Sequence, residues 1–518
     1  MATSTYPRLA AARLSADPDG PAFEDETASE SYAQLTQRAW QVAAGLRKHF
    51  GLTGRDRFAV LAGSSTRYAG LWHTAAWGGG VVCPLNIRLS APELAAVLRD
   101  ARPGALFVDA AHGALFDAAA AEGIPGCPVI VLDDTERRGA MTFSELADSA
   151  LAPAAPPSPE PGEAALLMYT AGTTGRAKGV VHSHANLCAG GVVRTSRFLP
   201  FDATTRFLQV APMFHIMSIV GNLGVPVFGG ATVIRGALDV GRMLDDIDTH
   251  AVTHVAMVPT LLSMLLTHPA FRPDRLESLR VVAYGGSPMP PALLDQIARE
   301  LPGVQLVNSY GMTEVCGSLT ALSPEDHLVP DRLRTVGRAL PGVILRVVDT
   351  DGVECVPGQP GEVLAVTDSR FVEYRGDPER TVRVQLPGGE YATGDVGSLD
   401  QLGYLTITER IDDMIVTGGE NVFSSEIEAV IAAIPGVRQA AVVGVPDPKW
   451  GSAVHAAVAV EPNAELDSDA VIERCREVLA GFKVPKTVEI IVGPLPVTST
   501  NKVDKLALRT RAASASTT

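Results

Sequence analysis

The sequence YTAGTTGRAKGVVHSH at residues 169–184 follows an apolar run and gathers glycines around threonine, arginine and lysine side chains. Glycines let a loop turn several backbone amides inward, and such a nest binds anions. The threonines add hydroxyl donors, while Arg176 and Lys178 add positive charge. The stretch therefore indicates a loop that holds phosphate groups, with a plain surface turn rich in glycine and threonine as the alternative.

The loop is not the common P-loop of nucleotide-binding proteins. That pattern places a Lys-Ser or Lys-Thr pair after its glycines, whereas Lys178 is followed by Gly179. In a P-loop the serine or threonine hydroxyl contacts Mg²⁺. The loop at 169–179 therefore does not match the P-loop signature.

Outward from this loop, short apolar runs alternate with helical patterns through about the first four fifths of the chain. Strands that alternate with helices are typical of an α/β fold in which helices cover parallel-rich sheets. Ligands of such sheets bind beyond the carboxyl ends of the strands. The patterns predict a helix at 91–101 and buried strands at 57–63, 105–110, 128–134, 163–170, 253–260, 279–286 and 304–311.

The last fifth of the chain has a different pattern. It predicts, in order, a helix at 424–436, strands at 437–447 and 451–462, a helix at 469–482 and a strand at 486–496. We therefore expect a large N-terminal domain, 1–410, and a small α+β C-terminal domain, 411–518. The proline-rich segment 151–163 is predicted to be a surface connector, and residues 511–518 a frayed tail.

The composition is that of a globular protein with an acidic balance. The 518 residues are 46% hydrophobic and 19% charged, and the formal net charge is −15. An acidic surface disfavours nucleic acid and anionic membranes as partners. Six scattered cysteines without a Cys-x-x-Cys pair favour free thiols over a zinc cluster or disulfides. Because no apolar run could span a bilayer and the N-terminus lacks an apolar signal core, we expect a cytoplasmic protein.

The stretch at 169–179 closely resembles the signature Tyr-Thr-Ser-Gly-Thr-Thr-Gly-x-Pro-Lys-Gly of the adenylate-forming superfamily, with Ala171 and Ala177 as departures. This superfamily contains acyl-CoA synthetases, luciferases and peptide-synthetase adenylation domains. Six further stretches resemble its motifs in the expected order: PMFHIMSIVG at 212–221, AYGGSPMP at 283–290, NSYGMTE at 308–314, YATGDVG at 391–397, ERIDDMIVTGGENVFSSEIE at 409–428 and LPVTSTNKVDK at 495–505. The resemblance spans nearly the whole chain and is closest to fatty-acyl and aryl-CoA ligases.

The resemblance implies a reaction that joins a carboxylate to AMP, releases pyrophosphate and passes the acyl group to a second nucleophile. It implies that Thr313 donates to the α-phosphate and that Glu314 ligates Mg²⁺, a metal that prefers hard oxygen ligands. Lys502 would be the catalytic lysine, a compact point charge that bridges the carboxylate and the α-phosphate. The implied contacts are Thr170, Thr173, Thr174 and Lys178 to the β- and γ-phosphates, Tyr310, Gly285, Gly286 and Ser287 to adenine, and Asp395 and Arg410 to ribose.

The same resemblance implies that the small domain is mobile and rotates between two half-reactions. Asp412 stands at the family's hinge position, and rotation would withdraw Lys502 from the active site. Gly418 and Gly419 would replace it and leave room for a thin ligand arm, with a plain turn at these glycines as the alternative. Lys505, three residues after Lys502, is the local competitor for the catalytic role.

The resemblance also bears on the acyl acceptor. PDPKWG at 446–451 and GFKVPK at 481–486 resemble segments that hold the CoA nucleotide in acyl- and aryl-CoA ligases. Trp450 and Phe482 would flank its tunnel, and the following lysines would meet its phosphates. Those lysines are Lys483 and Lys486.

The acid-binding pocket is the least determined part of the site. The resemblance assigns it to His215, Ile216, Met217, Val220, Gly221 and Gly311, a largely apolar set with one polar residue. The resemblance also makes His215 a candidate catalytic residue, and the alternative is a satisfied core histidine. No nearby arginine is available for a second carboxylate, so we expect a hydrophobic fatty, alicyclic or aromatic monocarboxylate.

The leading interpretation is an ATP-dependent acid–CoA ligase that uses ATP, Mg²⁺ and CoA. An ATP-dependent amide ligase, which gives the acyl-adenylate to an amine, would keep the ATP residues without needing a CoA tunnel. A catalytically silent nucleotide-binding protein would lack Lys502 or Glu314, and both are present. The sequence leaves open whether the protein is a monomer or a homodimer.

Overall fold

The predicted phosphate loop joins two antiparallel strands near one end of a large sheet. Ala164–Thr170 leads into the loop and Lys178–Ser183 leads out of it, with Thr170 directly opposite Lys178. The predicted strand at 163–170 is therefore confirmed. The computed structural model describes residues 4–150, 154–170, 177–236, 238–287, 289–417, 420–461, 464, 466–498 and 503–515.

These two strands belong to an eight-stranded sheet. Its first two pairings are antiparallel and the others are parallel. Parallel strands buried on both faces consist of short apolar runs, which is why the pattern located the strands at 57–63, 105–110 and 128–134. The order across the sheet is Glu373–Tyr374, Lys178–Ser183, Ala164–Thr170, Val81–Pro84, Arg57–Leu61, Ala105–Val108, Val129–Val131 and Met141–Thr142.

A nine-stranded sheet carries the other predicted strand ends. Its central strands are parallel, whereas the last pairing at one edge and the last two at the other are antiparallel. The predicted strands at 279–286 and 304–311 are confirmed. The one at 253–260 is confirmed for His254–Met257, whereas residues 259 and 260 begin the helix Pro259–Leu266. The order across the sheet is Arg338–Ala339, Gly317–Leu322, Gln305–Met312, Val281–Gly285, His254–Met257, Arg206–Gln209, Ala231–Ile234, Pro21–Glu24 and Ser29–Ser31.

Helices pack against both sheets. The helix Ala91–Ala101 has its predicted bounds, since a capping box between Ser90 and Glu93 closes its first turn and Leu94 and Leu98 lie on its buried face. Two segments are π-helical, Leu187–Arg194 and Val220–Gly224. The other α-helices associated with these sheets are Tyr6–Ala16, Tyr32–Phe50, Thr66–Ala76, Gly113–Ala121, Phe143–Asp148, His184–Asn186, Val225–Phe228, Val240–Thr249, Pro259–Leu266, Pro291–Glu300 and Pro378–Val384. Residues 154–163 have no helix or strand, as predicted for a connector.

The chain divides into two units. The first comprises Met1–Leu345, Ala365–Tyr391 and Gly403–Leu405 and contains both large sheets, whereas the second comprises Arg346–Leu364, Ala392–Leu402 and Thr406–Thr518. The fold is the predicted α/β architecture with a smaller C-terminal α+β part. The domain boundary between residues 410 and 411 stays a prediction, because packing alone does not locate a hinge.

The second unit contains a three-stranded sheet, and the predicted order of helices and strands is confirmed. Val437–Asp447 pairs antiparallel with Gly451–Val460, which pairs parallel with Thr487–Val492. Its α-helices are Ser424–Ala432, Ser468–Val478 and Lys505–Ala515, and a short pairing joins Ile415–Thr417 to Glu420–Val422. A four-stranded sheet, most of whose residues belong to this unit, has the order Val343–Val348, Gly361–Thr367, Glu390–Leu399 and Leu405–Arg410.

The prediction of a frayed tail from residue 511 is wrong for 511–515. These residues continue the helix Lys505–Ala515. Leu508 and Ala512 are 1% and 8% exposed and pack in one cluster with Val443 of the three-stranded sheet. Four-residue spacing places both on one helix face, so tertiary packing stabilises a segment whose alanine- and serine-rich sequence suggested fraying.

Candidate active site

The two ends of the phosphate loop are brought together by strand pairing. Thr170 and Lys178 are cross-strand partners, and both are half-buried. Thr173 and Thr174 fall within residues 171–176 and lie outside the described residues. The predicted phosphate contacts that the structure describes therefore stand side by side at the mouth of the loop.

Tyr374 contacts two of the predicted site residues. Its hydroxyl donates a hydrogen bond of 2.9 Å to Oε1 of Glu314. The Nζ atom of Lys178 lies 5.6 Å from the centroid of the Tyr374 ring, and the Cζ atom of Arg380 lies 5.7 Å from it. Burial and the neighbouring Glu314 carboxylate raise the pKa of Tyr374, so the hydroxyl stays protonated and donates.

The backbone around Thr313 and Glu314 is held at three successive carbonyl groups. The carbonyl oxygen of Thr313 accepts from Nε2 of His182 at 2.7 Å, and that of Glu314 accepts from the backbone N–H of Phe371 at 2.8 Å. The carbonyl oxygen of the next residue, Val315, accepts from the Ser369 hydroxyl at 2.6 Å. The short 3₁₀ turn that carries Glu314 is therefore fixed in place before any ligand binds.

His182 acts in this arrangement as a neutral donor. Its side chain is fully buried, and burial lowers its pKa to about 4. Ser369 is itself held by Arg194, whose guanidinium donates to the hydroxyls of Ser369 and Thr367 and to the Asp368 carboxylate at 2.5 to 2.7 Å. Both groups hold the Glu314 turn through its backbone.

The predicted adenine contacts lie at the carboxyl ends of two neighbouring parallel strands. Gly285 is the register partner of Ser309, one residue before Tyr310. Gly286 has φ +80°, a conformation that favours glycine, and Ser287 is exposed. Strand pairing thus brings the loop at 285–287 close to half-buried Tyr310, and the contact of these residues with adenine stays a prediction.

The strand pairing at Gly311 requires a glycine. The pairing between Gln305–Met312 and Gly317–Leu322 shifts register between Tyr310 and Gly311. A Cβ atom at Gly311 would overlap the carbonyl oxygen of Gly317. The structure therefore gives Gly311 a backbone reason for being glycine, and its place in the acid pocket stays a prediction.

The predicted acid-pocket residues form a turn next to the nine-stranded sheet. His215 begins it and accepts a hydrogen bond of 3.2 Å from the Met217 backbone N–H at its Nδ1. Met217 and Val220 are half-buried and pack against a cluster that includes Ala283 of the adenine-side strand. Of the other residues assigned to the pocket, Ile216 and Gly221 are buried.

In the second unit the structure joins the two predicted ribose contacts. Asp395 is only 3% exposed, and its Oδ1 lies 2.7 Å from Nε of Arg410. The Arg410 side chain is about half exposed, so its guanidinium reaches solvent while one edge is paired. A carboxylate and an arginine held in this way can accept from and donate to a pair of hydroxyl groups.

Lys505, the competitor for the catalytic role, is engaged in a structural cluster. Its Nζ donates to the Ser424 hydroxyl at 2.6 Å and lies 2.8 Å from Oε1 of Glu428. Lys502 lies outside the described residues, as do Gly418 and Gly419. Asp412, the predicted hinge residue, is in a short 3₁₀ turn, Ile411–Asp413.

The predicted CoA contacts differ in how they are held. Trp450 and Phe482 are about two-fifths exposed, and each has a lysine ammonium within 6 Å of its ring, that of Lys449 and of Lys483 respectively. Lys483 also pairs with Glu426 at 2.6 Å. The backbone N–H of Lys486 donates to the Val454 carbonyl oxygen at 2.8 Å. These residues stay predictions for CoA binding.

Glu314 suits a metal ion whose ligands come mainly from the phosphates of a nucleotide and from water, with few from the protein. Within the described ranges, no three acidic, histidine or cysteine side chains converge as a metal-binding cluster. Mg²⁺ in nucleotide sites is held by one or two carboxylates together with phosphate oxygens and water. A single half-buried carboxylate, kept in place by Tyr374, fits that coordination.

Two further findings concern the whole molecule. None of the helices in the part of the chain that the structure describes combines the length and the apolar character needed to cross a bilayer. All six cysteines are free thiols, as predicted.

Comparisons with known proteins cover nearly the entire chain. A family model described as AMP-binding enzyme matches residues 10–374, and one described as AMP-binding enzyme C-terminal domain matches residues 426–502. The chain is 33% identical to a feruloyl-CoA synthase from Amycolatopsis sp, over 93% of this chain and 94% of that protein. It is 34% identical to the long-chain-fatty-acid–CoA ligase FadD13 of Mycobacterium tuberculosis over 92% of each. The amide bond synthetase McbA from Marinactinospora thermotolerans has a similar structure, with a TM-score of 0.83 and 30% identity over 98% of this chain and 99% of McbA.

Proposed function

The chain belongs to the AMP-binding enzyme family, and on that premise we propose that it is an ATP-dependent acid–CoA ligase. It joins a carboxylic acid to AMP with release of pyrophosphate and then transfers the acyl group to the thiol of CoA. The observation that carries this function is the match, over more than nine tenths of the chain, to relatives that are themselves acid–CoA ligases.

The first half-reaction meets a mainly electrostatic barrier, because an anionic carboxylate must approach an anionic phosphate. Catalysis then depends on positioning and on cationic groups rather than on a strong base. We assign Thr170 and Lys178 to the departing pyrophosphate, together with Thr173 and Thr174. The paired strand ends that hold Thr170 opposite Lys178 support this assignment.

We assign the α-phosphate to Thr313 and the metal to Glu314. Mg²⁺, when bound, supplies positive charge that offsets the charge of the phosphates. The clamped carbonyls of the Glu314 turn support a role in which the carboxylate must not move. Lys502 bridges the acid and the α-phosphate, while Asp395 and Arg410 bind ribose and Tyr310 stacks on adenine.

We propose that residues 411–518 rotate about Asp412 after adenylate formation. The separate family match at 426–502 supports a C-terminal domain of its own. Rotation would replace Lys502 with the segment that contains Gly418 and Gly419, and CoA would enter past Trp450 and Phe482. The engagement of Lys505 with Ser424 and Glu428 supports Lys502 as the catalytic lysine.

The acid is a hydrophobic monocarboxylate in this proposal, either fatty, alicyclic or aromatic. The half-buried apolar side chains of Met217 and Val220 support it. The two relatives act, by their names, on feruloyl and long-chain fatty acyl groups, so both classes belong in the test. The free cysteines support a reducing cytoplasm as the site of the reaction.

An amide ligase is the second candidate, favoured by the structural similarity to the amide bond synthetase McbA. Pyrophosphate release across a panel of fatty, alicyclic and aromatic acids identifies the acid. The best acid is then offered CoA or a primary amine, and the products are identified by mass spectrometry. We expect a CoA thioester; an amide with no CoA-dependent product would establish the second candidate instead.

Lys502→Ala tests the catalytic assignment. We expect acid-dependent pyrophosphate release to fall by about 100-fold or more, because the charge at the reacting atoms is lost. Lys505→Met is the matched control, since it removes an ammonium three residues away, and its rate should stay within about threefold of wild type. An undiminished rate in Lys502→Ala would reject the role of Lys502.

A further inference from the structure

The segment from Phe371 to Tyr374 touches both ends of the phosphate and metal site. Tyr374 pairs in the sheet with Val180, two residues after Lys178. The Phe371 backbone N–H donates to the Glu314 carbonyl oxygen, and the Tyr374 hydroxyl donates to the Glu314 carboxylate. One short piece of chain thus holds the strand that follows the phosphate loop and the turn that carries the metal carboxylate.

We infer that Tyr374 is a positioning residue that fixes where the side chains of Glu314 and Lys178 lie. Its hydroxyl holds the Glu314 carboxylate through a hydrogen bond, and its ring holds the Lys178 ammonium through a cation–π contact. This inference rests on the proposed function, in which Glu314 holds Mg²⁺ and Lys178 holds the pyrophosphate. Nothing in the sequence motifs assigned a role to Tyr374.

The hydroxyl has a defined effect on Glu314. The backbone of the Glu314 turn is already fixed at three carbonyls, so the remaining freedom lies in the side-chain torsions. The hydrogen bond from Tyr374 restrains those torsions and occupies one of the carboxylate's acceptor sites, which leaves the others for a metal ion. Removal of the hydroxyl therefore frees the carboxylate without removing it.

The ring has a separate effect on Lys178. An ammonium 5.6 Å from a ring centroid is within the range of a cation–π attraction. Lysine has a long flexible stem and carries its charge at one point, so a contact of this kind restricts where the charge stands. Loss of the ring therefore acts on phosphate binding even when no metal is present.

Tyr374 is itself rigid enough to position other groups. Its side chain is 4% exposed, and its ring packs against Phe371 with centroids 4.6 Å apart. Its backbone N–H donates to the Thr381 hydroxyl at 2.9 Å. These contacts fix the ring from its backbone outward.

Two substitutions separate the two effects. Tyr374→Phe keeps the ring and removes the hydroxyl, whereas Tyr374→Leu removes both. Tyr404→Phe is the matched control, because Tyr404 is a buried tyrosine of the same unit whose hydroxyl donates to the Asp326 carboxylate at 2.7 Å. Thermal unfolding of each variant monitors folding.

The readouts are ATP binding by calorimetry, with and without Mg²⁺, and Mn²⁺ binding to the ATP complex by electron paramagnetic resonance. In Tyr374→Phe we expect metal binding to weaken by about three- to tenfold, the size of one hydrogen bond, with metal-free ATP binding unchanged. Tyr374→Leu should show the same metal defect and also weaker metal-free ATP binding. Tyr404→Phe should show neither change.

Unchanged metal binding in Tyr374→Phe would overturn the role of the hydroxyl, and unchanged metal-free ATP binding in Tyr374→Leu would overturn that of the ring. If Tyr374→Leu fails to fold, Tyr374→Phe combined with Glu314→Gln decides the hydroxyl's role, because the double variant should bind metal no worse than Glu314→Gln alone. A wild-type protein that binds ATP but forms no CoA thioester would reject the proposed function, while these titrations would still decide the role of Tyr374.

Discussion

Glu314 in the first unit and Glu409 in the second are both partly or fully buried, yet the structure uses them differently. Glu314 is half-buried and accepts a hydrogen bond from the Tyr374 hydroxyl. Glu409 is 8% exposed and accepts from both the backbone N–H and the hydroxyl of Ser424, at the start of the helix Ser424–Ala432. A carboxylate with acceptor sites left can bind a metal, whereas one occupied by a helix N-terminus stabilises the fold.

The surroundings of Glu409 extend this difference. Lys505 donates to the same Ser424 hydroxyl, and the Ser425 hydroxyl donates to the Thr408 carbonyl oxygen at 2.8 Å. Ser424 is fully buried. These polar groups around Glu409 all form hydrogen bonds to other protein groups. That pattern is typical of a structural cluster and not of a ligand site.

The largest expected effect that tests this comparison is on catalysis. Glu314→Gln should slow acid-dependent pyrophosphate release by about 100-fold or more. The substitution removes the negative charge that we propose binds the metal and keeps the shape of the side chain. The matched variant Glu409→Gln should stay within about threefold of wild type. The comparison would fail if the two variants lost activity equally.

The next effect is on stability. Glu409→Ala leaves the buried Ser424 N–H and hydroxyl without their acceptor, so the free energy of unfolding should fall by about 1 to 3 kcal/mol. Denaturant unfolding of the full chain, followed by hydrogen exchange at Ser424–Ala432, measures the loss and its location. A loss confined to the first unit would contradict the assignment of Glu409 to the second.

The smallest effect is a pH dependence of opposite sign in the two units. Burial raises the pKa of Glu409, so the folded state binds more protons than the unfolded state and the contribution of Glu409 to stability falls as pH rises from about 4.5 through its raised pKa. For His182, whose pKa is lowered to about 4, stability is present above about pH 6.5 and is lost as pH falls towards 4.

The melting temperatures of wild type and Glu409→Gln are compared from pH 4 to 7. Their difference isolates the contribution of Glu409 to the pH dependence of stability. The difference between the two proteins should change as pH rises from about 4.5 through the raised pKa of Glu409 and be constant above that pKa. A constant difference throughout would show that Glu409 has an ordinary pKa.

Much of the fold could be predicted because its elements are local. The strand at 437–447 and the helix at 91–101 have the predicted bounds, since each is marked by its own apolar periodicity and by end signals such as the capping box at Ser90. The helix Lys505–Ala515 was missed beyond residue 510, because its stability depends on Leu508 and Ala512 packing on a sheet formed elsewhere in the chain.

The side chains that hold the Glu314 turn in place could not be predicted from local sequence patterns. Tyr374 and Ser369 are far along the chain from the Glu314 turn that they contact, and no motif pattern marks them. His182 did carry a signal, because it lies two residues after buried Val180 and therefore on the same face of the strand. A polar residue on a buried strand face requires a partner, but its identity, the Thr313 carbonyl, depends on how two sheets approach each other.

By itself the sequence determined the family and the order of strands and helices, and it predicted the residues that contact ATP, because glycine-rich loops and apolar periodicities are local properties of the chain. Only the tertiary structure decided that Lys505 is held by Ser424 and Glu428, that Glu409 is structural, and that Tyr374 joins Glu314 to Lys178. The groups packed around a carboxylate decide how many of its acceptor sites stay open for a ligand, and the groups packed around a lysine decide where its ammonium lies. Those groups come from distant segments of the chain, so only the tertiary structure shows them.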